Sequence, residues 1–510
     1  MKCTPFENLF LLKIANHSWS RPEQGLGMAQ DLDGVVRRNE VNAALKLRFP
    51  RVGSFIHKQH QARDNVRYIQ KLGSIELNWE AGLLRQPRAA HERHFLIISS
   101  PFGPFARELA QVLRATNSRV SRIALNAGDA LDWRTAGLIP YRGRPNGWRE
   151  WLNDLLVQYN ITDMINYGDS KYYDRISIEL ARNKGLHTHI LEQGYFRPNW
   201  VTLESQGVNS KSGLPSCPDF YRDHPHANRV APFVVPGHST IHAVWNIGIY
   251  HLAVYLGAAV FPHFKAGYEA PAWKQAVGHT LQFLRQRLST GTRKAAVGRT
   301  QQTGGSLYLA LLQRPGDSQL WLDANFKTIP RFTERVIQSF AKWAPSDATL
   351  LFRPHPLDPG LEDWRAVTAK EAAKHGVGDR VDFSKDGQLH EILPLIAGAV
   401  CVNSTAGLAA VEFGRPTIVL GRAIYNLVGL THQDGLDSFW SRPTAPNAEL
   451  YTAFRNVVMA GTQINGNYAT SKGRALAAPE IARRLLLSNE FCSRISPPPS
   501  PTSAPQRQTL

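Results

Sequence analysis

From His94 onward the chain alternates short unbroken apolar runs with longer stretches whose apolar residues recur every three or four positions. FLIIS (95–99) reads as a strand buried on both faces, the Pro and Gly residues of 101–104 as a turn, and FARELAQVLRA (105–115) as a helix with one apolar face. The rhythm continues through VSRIALN (120–126), helical GWREWLNDLLVQY (147–159), TDMINYG (162–168), helical YYDRISIELARNKG (172–185) and THILEQG (188–194). A second series runs from SLYLALLQ (306–313) through RFTERVIQSFAKWA (331–344), TLLFRPHP (349–356) and HEILPLIAG (390–398) to AVCVNS (399–404), TAGLAAVEFG (405–414) and PTIVLG (416–421). Strands alternating with helices imply parallel sheets, so the pattern predicts an α/β chain with two doubly wound, Rossmann-like units.

A chain of 510 residues exceeds what one hydrophobic core usually serves, which agrees with two main domains. The expected boundaries are an untyped N-terminal extension at 1–90, a first Rossmann-like domain at 91–235, a helical connector at 236–300, a second Rossmann-like domain at 301–488, and a Pro/Ser-rich tail at 489–510. The tail is too poor in apolar residues to order itself.

The formal charge of +18, from 59 basic and 41 acidic residues, favours an anionic partner. The basic residues form no run of five, and neither zinc-finger spacing nor an RNA-binding aromatic motif is present, so specific nucleic-acid binding is not expected. Cys3, Cys217, Cys401 and Cys492 lie far apart, without CxxC spacing, which suits a reducing compartment and suggests no structural zinc. The N-terminal MKCTPFENLFLLKIANHSW has only a short apolar stretch broken by Lys13 and does not read as an export signal. Ala243 to Phe261 is long and apolar but carries Asn246 and His251, so it reads as a buried or interfacial helix rather than a membrane span. A cytoplasmic protein that attaches peripherally to an anionic membrane surface fits this combination.

Ligands of doubly wound sheets bind where strands end and helices begin, and four such junctions carry chemistry. Glu192, Gly194, Tyr195 and Arg197 follow the strand THIL, and the segment serves equally as an active-site loop or as a solvated loop in which Glu192 pairs with Arg197. Asp317 and Gln319 follow SLYLALLQ, where Pro-Gly-Asp-Ser is also good turn chemistry. Arg353, His355 and Pro356 follow TLLF, with prolines fixing an extended exit that suits phosphate recognition. Asn403, Ser404, Thr405 and Gly407 open a helix whose N-terminus favours an anion, and Ser404 can cap that helix as well. The loose Asp31-Leu32-Asp33 pair is weak support for a metal, and no metal or cofactor is expected.

These segments together resemble the KpsS/LipB type of capsule polysaccharide biosynthesis and export proteins. The likeness rests on GPFARELA (103–110), ALNAGDALDW (124–133), YRGRPNGW (141–148), YGDSKYYDRISIELAR (167–182), LEQGYFRPNWVTLESQGVNSKSGLP (191–215), FPHF (261–264), GDSQ (316–319), RPHPLDPG (353–360), VNSTAGLAAVEFGRPTIVLGRAIYN (402–426) and GLTHQDGLDSFW (429–440). It runs in order over residues 95–485. Two positions depart from the family pattern: Gln193 follows Glu192 where a second acid is usual, and Arg353-Pro354-His355 stands for His-His-Pro.

The resemblance implies a GT-B-like fold, two Rossmann-like domains facing a cleft, and a retaining transferase that moves Kdo from CMP-Kdo to phosphatidylglycerol. Its partners would be CMP-Kdo, the anionic lipid, the cytoplasmic face of the inner membrane and other capsule-assembly proteins. Retention by double displacement needs two carboxylates, and Asp317 as nucleophile with Glu192 as acid/base is the expected assignment, the swapped one remaining open. Arg353, His355, Pro356, Asn403, Ser404, Thr405 and Gly407 would hold the CMP moiety, with Gly103, Gly194, Tyr195, Arg197 and Gln319 supporting the cleft. A GT-B enzyme with another nucleotide-sugar donor, or a non-catalytic assembly protein, are the alternatives.

Overall fold

The computed structural model describes residues 89–237, 240–267, 274–275, 277–278, 304–314, 326, 328–385 and 387–487, all within the compact unit Asn65–Leu510. The expected N-terminal extension up to residue 88, most of the connector after 267, and the Pro/Ser-rich tail lie outside the described residues.

The first sheet has the strands β1 (His94–Ile97), β2 (Arg119–Ala124), β3 (Leu138–Pro140), β4 (Asp163–Tyr167), β5 (His187–Gln193) and β6 (Trp200–Glu204). Between them run the helices α1 (Phe105–Ala115), α2 (Ala127–Trp133), α3 (Trp148–Gln158) and α4 (Tyr172–Asn183). Next come α5 (Pro218–Asp223) and α6 (Thr240–Leu256). The second sheet contains β7 (Leu307–Leu311), β8 (Thr349–Arg353), β9 (Val381–Phe383), β10 (Gly398–Cys401) and β11 (Thr417–Val419), with α7 (Ile329–Trp343), α8 (Trp364–Lys374) and α9 (Thr405–Glu412). The chain closes with α10 (Ala448–Thr462), β12 (Gln463–Asn465) and α11 (Ser471–Leu486).

The strand orders are β12-β6-β5-β4-β1-β2-β3 and β11-β10-β7-β8-β9. In each sheet the first three strands step outward in one direction and the fourth and fifth in the other, and all five are parallel. The two units therefore repeat one doubly wound topology, with crevices at the switch points β1/β4 and β7/β10. Both sheets are covered on both faces. Phe95 and Ile97 of β1 join one core cluster while Leu96 and Ile98 join another, and Leu307, Leu309 and Leu311 of β7 are separated in the same way from Tyr308, Ala310 and Leu312. This is why those strands read as unbroken apolar runs.

The helical periodicity of FARELAQVLRA is used as written. Phe105, Ala106, Leu109, Ala110 and Leu113 are its buried residues, and they pack with Ala477, Ile481 and Leu485 of α11. That contact corrects the expected second domain at 301–488. Strand β12 pairs antiparallel with β6, and α11 lies on α1, so residues 463–486 complete the first sheet. Two further groups tie this return in place. Gln463 Oε1 accepts the Tyr195 N–H at 2.9 Å, and Arg93 donates to the Leu485 carbonyl at 2.6 Å. Arg93 also forms a buried ion pair with Asp163, whose Oδ1 meets His189 Nε2 at 2.8 Å. These charges lie at the amino ends of β1 and β4, at the opposite edge from the crevice.

Gly194, Tyr195 and Phe196 lie in the turn between β5 and β6, and Trp200 opens β6. The aromatic three are buried in the same cluster as Leu309, Cys401 and Tyr425 of the second unit, so this turn is part of the joint between the sheets.

Candidate functional site

At the end of β5, Glu192 is half-buried, with its Oε1 accepting the Gln193 N–H at 2.9 Å. Gly168, at the end of β4 with φ of +77°, lets the carboxylate lie close: a Cβ there would stand 3.4 Å from Glu192 Oε2. Burial pushes the Glu192 carboxyl above the ordinary carboxylate range; the Gln193 N–H, Arg197 and Lys171 oppose the shift and Asp169 adds to it. Gln193, in the position where the family pattern has a second acid, donates to the Tyr167 hydroxyl at 3.1 Å.

Arg197 connects this carboxylate to the second unit. Its Nε donates to the Gly194 carbonyl at 3.3 Å, and its charge acts on His355 as well as on Glu192. His355 leaves the end of β8 in a tight turn. Its Nδ1 accepts the Leu357 N–H at 3.0 Å, so in the neutral ring Nε2 carries the proton and is the donor. Burial, followed by the charges of Arg197, Arg314 and Lys385, lowers its pKa from 6.5 to about 4. The imidazole is thus uncharged near neutrality and lies in the field of three cations.

The switch point of the second sheet contributes two polar side chains of another kind. Gln313, two residues beyond β7, donates through Nε2 to Asn403 Oδ1, two residues beyond β10. Gln313 is 5% exposed and Asn403 2% exposed, yet among the described residues Gln313 Oε1 and Asn403 Nδ2 have no hydrogen-bond partner. Buried unpaired polar atoms cost about 1–3 kcal/mol each, so an acceptor and a donor at a strand end are groups that a ligand could satisfy. Asn209 of the first unit donates to the Asn403 carbonyl at 3.2 Å, which brings the two units together at this point.

Immediately after Asn403, the Ser404 side chain caps α9 by accepting the Ala406 N–H at 3.1 Å. Thr405 is the first residue of this eight-residue helix, whose leading N–H groups have no partners within the helix. Arg353 donates to the Gly387 carbonyl at 2.5 Å, and its charge, after burial, helps to depress Lys385. These residues put one raised carboxylate at the strand ends of the first sheet and hydrogen-bond donors and cations at the strand ends of the second.

Several expected site residues have other places. Asp317 and Gln319 lie outside the described residues. Gly103 lies under α6, with its N–H on Asp132 Oδ2 at 2.9 Å and a hypothetical Cβ 2.6 Å from Asn246 Nδ2. Gly194 closes the β5–β6 hairpin, where its N–H meets the Trp200 carbonyl at 3.0 Å and a Cβ would come within 2.2 Å of that oxygen. Tyr195 is buried and donates to Glu204 Oε1 at 2.6 Å. Gly407 is demanded by packing: a Cβ would stand 2.5 Å from both Cys401 Sγ and Tyr425 Oη. Pro356 is exposed in the turn after His355.

Gln313, Lys385, Lys171 and Asn209 were missed as site residues. Gln313 was detectable, since it is the polar last residue of the apolar run SLYLALLQ. Lys385 follows the three-residue β9, which is too short to register as periodicity.

Among the described residues no group of three His, Cys, Asp or Glu side chains could hold a metal ion.

Comparison with known proteins adds the following. The profile described as capsule polysaccharide biosynthesis protein matches residues 162–468. The capsule polysaccharide export protein KpsS of Escherichia coli is 29% identical over 382 residues, covering 74% of this chain and 97% of that protein. The capsule polysaccharide modification protein LipB of Neisseria meningitidis serogroup A is 30% identical over 388 residues, covering 74% and 91%. Among solved structures, the β-Kdo 2,7 transferase KpsC of Thermosulfurimonas dismutans is 13% identical with a TM-score of 0.38, covering 78% of this chain and 100% of that one.

Proposed function

Because this chain belongs to the capsule polysaccharide biosynthesis protein family, we propose that it is a retaining glycosyltransferase of GT-B type that transfers Kdo from CMP-Kdo to phosphatidylglycerol. The observation that carries this reading is the convergence on Arg197. One guanidinium acts on the raised carboxyl of Glu192 and on His355 in the crevice opposite.

A donor bearing a phosphate and a carboxylate needs positive charge without a bulky metal cage, and Arg197, Arg314, Arg353 and Lys385 supply it. In the proposed chemistry the Asp317 carboxylate attacks the anomeric carbon as its bond to the phosphate oxygen breaks. CMP leaves with the bonding pair, stabilised by the cations, by the His355 Nε2–H and by the first N–H groups of α9. Glu192 then takes the proton of the acceptor hydroxyl as that oxygen displaces Asp317, and the second inversion restores the donor configuration. A carboxylate whose pKa is raised is the stronger base for that step. The open Gln313 Oε1 and Asn403 Nδ2 offer one acceptor and one donor, a pair suited to a ribose hydroxyl or a base edge.

The full-length protein incubated with CMP-Kdo and phosphatidylglycerol should release CMP and add the mass of one Kdo to the lipid. Release only from UDP-sugars would overturn the donor assignment. A folded protein with no turnover on any nucleotide sugar would favour an assembly role.

A further inference from the structure

We infer that α6 is a docking surface for anionic lipid headgroups and sets the acceptor side of the cleft against the membrane. Helix α6 (Thr240–Leu256) contains no Asp, Glu, Lys or Arg, and its amphipathicity is inverted. Two of its polar residues, Asn246 and Tyr250, face the protein. Asn246 covers Gly103, and Tyr250 lies over Gly128 and donates to Asp129 Oδ1 at 3.1 Å. Gly257, just beyond the helix, approaches Ala127 so closely that a Cβ would be 2.1 Å from the Ala127 Cβ. The large apolar residues face outward instead: Trp245 is 67% exposed and Tyr255 79%, with Val244, Leu252, Leu256 and Val260 also exposed.

A soluble surface seldom leaves so many large apolar residues contiguous without a partner. The helix does not meet the requirements of a membrane span, and at 17 residues it reaches about 25 Å, short of a hydrocarbon core of roughly 30 Å. An apolar face that carries Trp and Tyr suits the interface plane, where an amphipathic ring has one end in hydrocarbon and the other in water.

Charge selects the partner. At the carboxyl end of α6, Arg142 lies 5.9 Å over the Phe261 ring and Lys265 lies 5.8 Å over that of Tyr172, while Gly267 stands beside the Lys171 side chain. All three cations are exposed, and the whole chain carries +18. An apolar strip bordered by cations matches an anionic bilayer surface better than a second copy of the same basic chain, which would repel it. Lys171 also acts electrostatically on Glu192, so the cationic border adjoins the carboxylate proposed to activate the acceptor. The inference deepens the lipid-acceptor reading, and its test avoids dependence on that reading by using a different anionic lipid.

Sedimentation of the full-length chain with vesicles of phosphatidylcholine containing phosphatidylserine should show binding that fades with added salt and is absent from pure phosphatidylcholine. Trp245→Asp and Leu252→Asp should each weaken that binding about tenfold or more. Circular dichroism and melting temperature should stay unchanged, because both side chains are exposed. Absence of vesicle binding, or binding indifferent to both substitutions, would overturn the inference. So would self-association of the wild-type chain that these substitutions abolish, because the face would then belong to a second copy. Vesicle binding that survives while Kdo transfer fails would leave docking intact and sink the proposed activity alone.

Discussion

His355 should link donor binding to pH. Its imidazole pKa is lowered from an ordinary 6.5 to about 4, because burial and the charges of Arg197, Arg314 and Lys385 disfavour the proton. An anion beside Nε2 offsets those charges, so binding takes up a proton and tightens as pH falls from 6.5 toward 4. If the bound phosphate restores the ordinary value, the gain is about 11-fold at about pH 5.5 and only about 1.1-fold at about pH 7.5. Calorimetric titration of CMP into wild type and His355→Gln reads this directly. The titration of the phosphate itself is common to both proteins and cancels in their ratio. The ratio of wild-type to variant affinity should therefore rise about tenfold between those two pH values. A ratio that stays constant would refute the placement of His355 on the anion.

Three other substitutions probe separate parts of the argument. Glu192→Gln removes the proposed proton acceptor while keeping the shape, and transfer should fall by about 10²–10⁴ with folding intact; turnover within a few-fold of wild type would exclude the role. Gly407→Ala forces a methyl group to within 2.5 Å of Cys401 Sγ and Tyr425 Oη, so overpacking of about 1–3 kcal/mol should outweigh the helix-propensity gain of about 1 kcal/mol and lower the denaturation midpoint. Asp163→Asn leaves Arg93 and His189 without their buried anion and should destabilise the fold by about 3–5 kcal/mol in denaturant melts. Its carboxyl is held below the ordinary range by hydrogen bonds and charge from His189 and Arg93, which together exceed the opposing effect of burial. This stability is therefore present at neutral pH and lost as pH falls below the ordinary carboxylate value of 3.8, and the variant should lose that acid-dependent part.

The alternating apolar runs of β1, β4, β7 and β10 were legible because each is buried on both faces and needs no partner sequence to identify it. Helix α1 was equally legible, since one face is apolar at the helical period. The junction residues Glu192, His355, Asn403 and Ser404 followed in the same way from the runs that form β5, β8 and β10, because a parallel sheet puts strand ends at its crevice.

Pairings between distant segments have no local signature. Strand β12 is three residues long and acquires its meaning only beside β6, and α11 joins the first unit because its Ala477, Ile481 and Leu485 fill the face of α1. The resemblance and the junction pattern gathered Gly194, Gly407 and Tyr195 into the site by position alone. Only the three-dimensional packing separates a glycine needed by a hairpin or a Tyr425 contact from one that approaches a ligand. The sequence by itself determined which strands are buried and where their chemistry emerges. Tertiary structure alone decided that the charge of Arg197 reaches both Glu192 and His355, and that α6 turns its apolar side outward, because each depends on elements far apart along the chain.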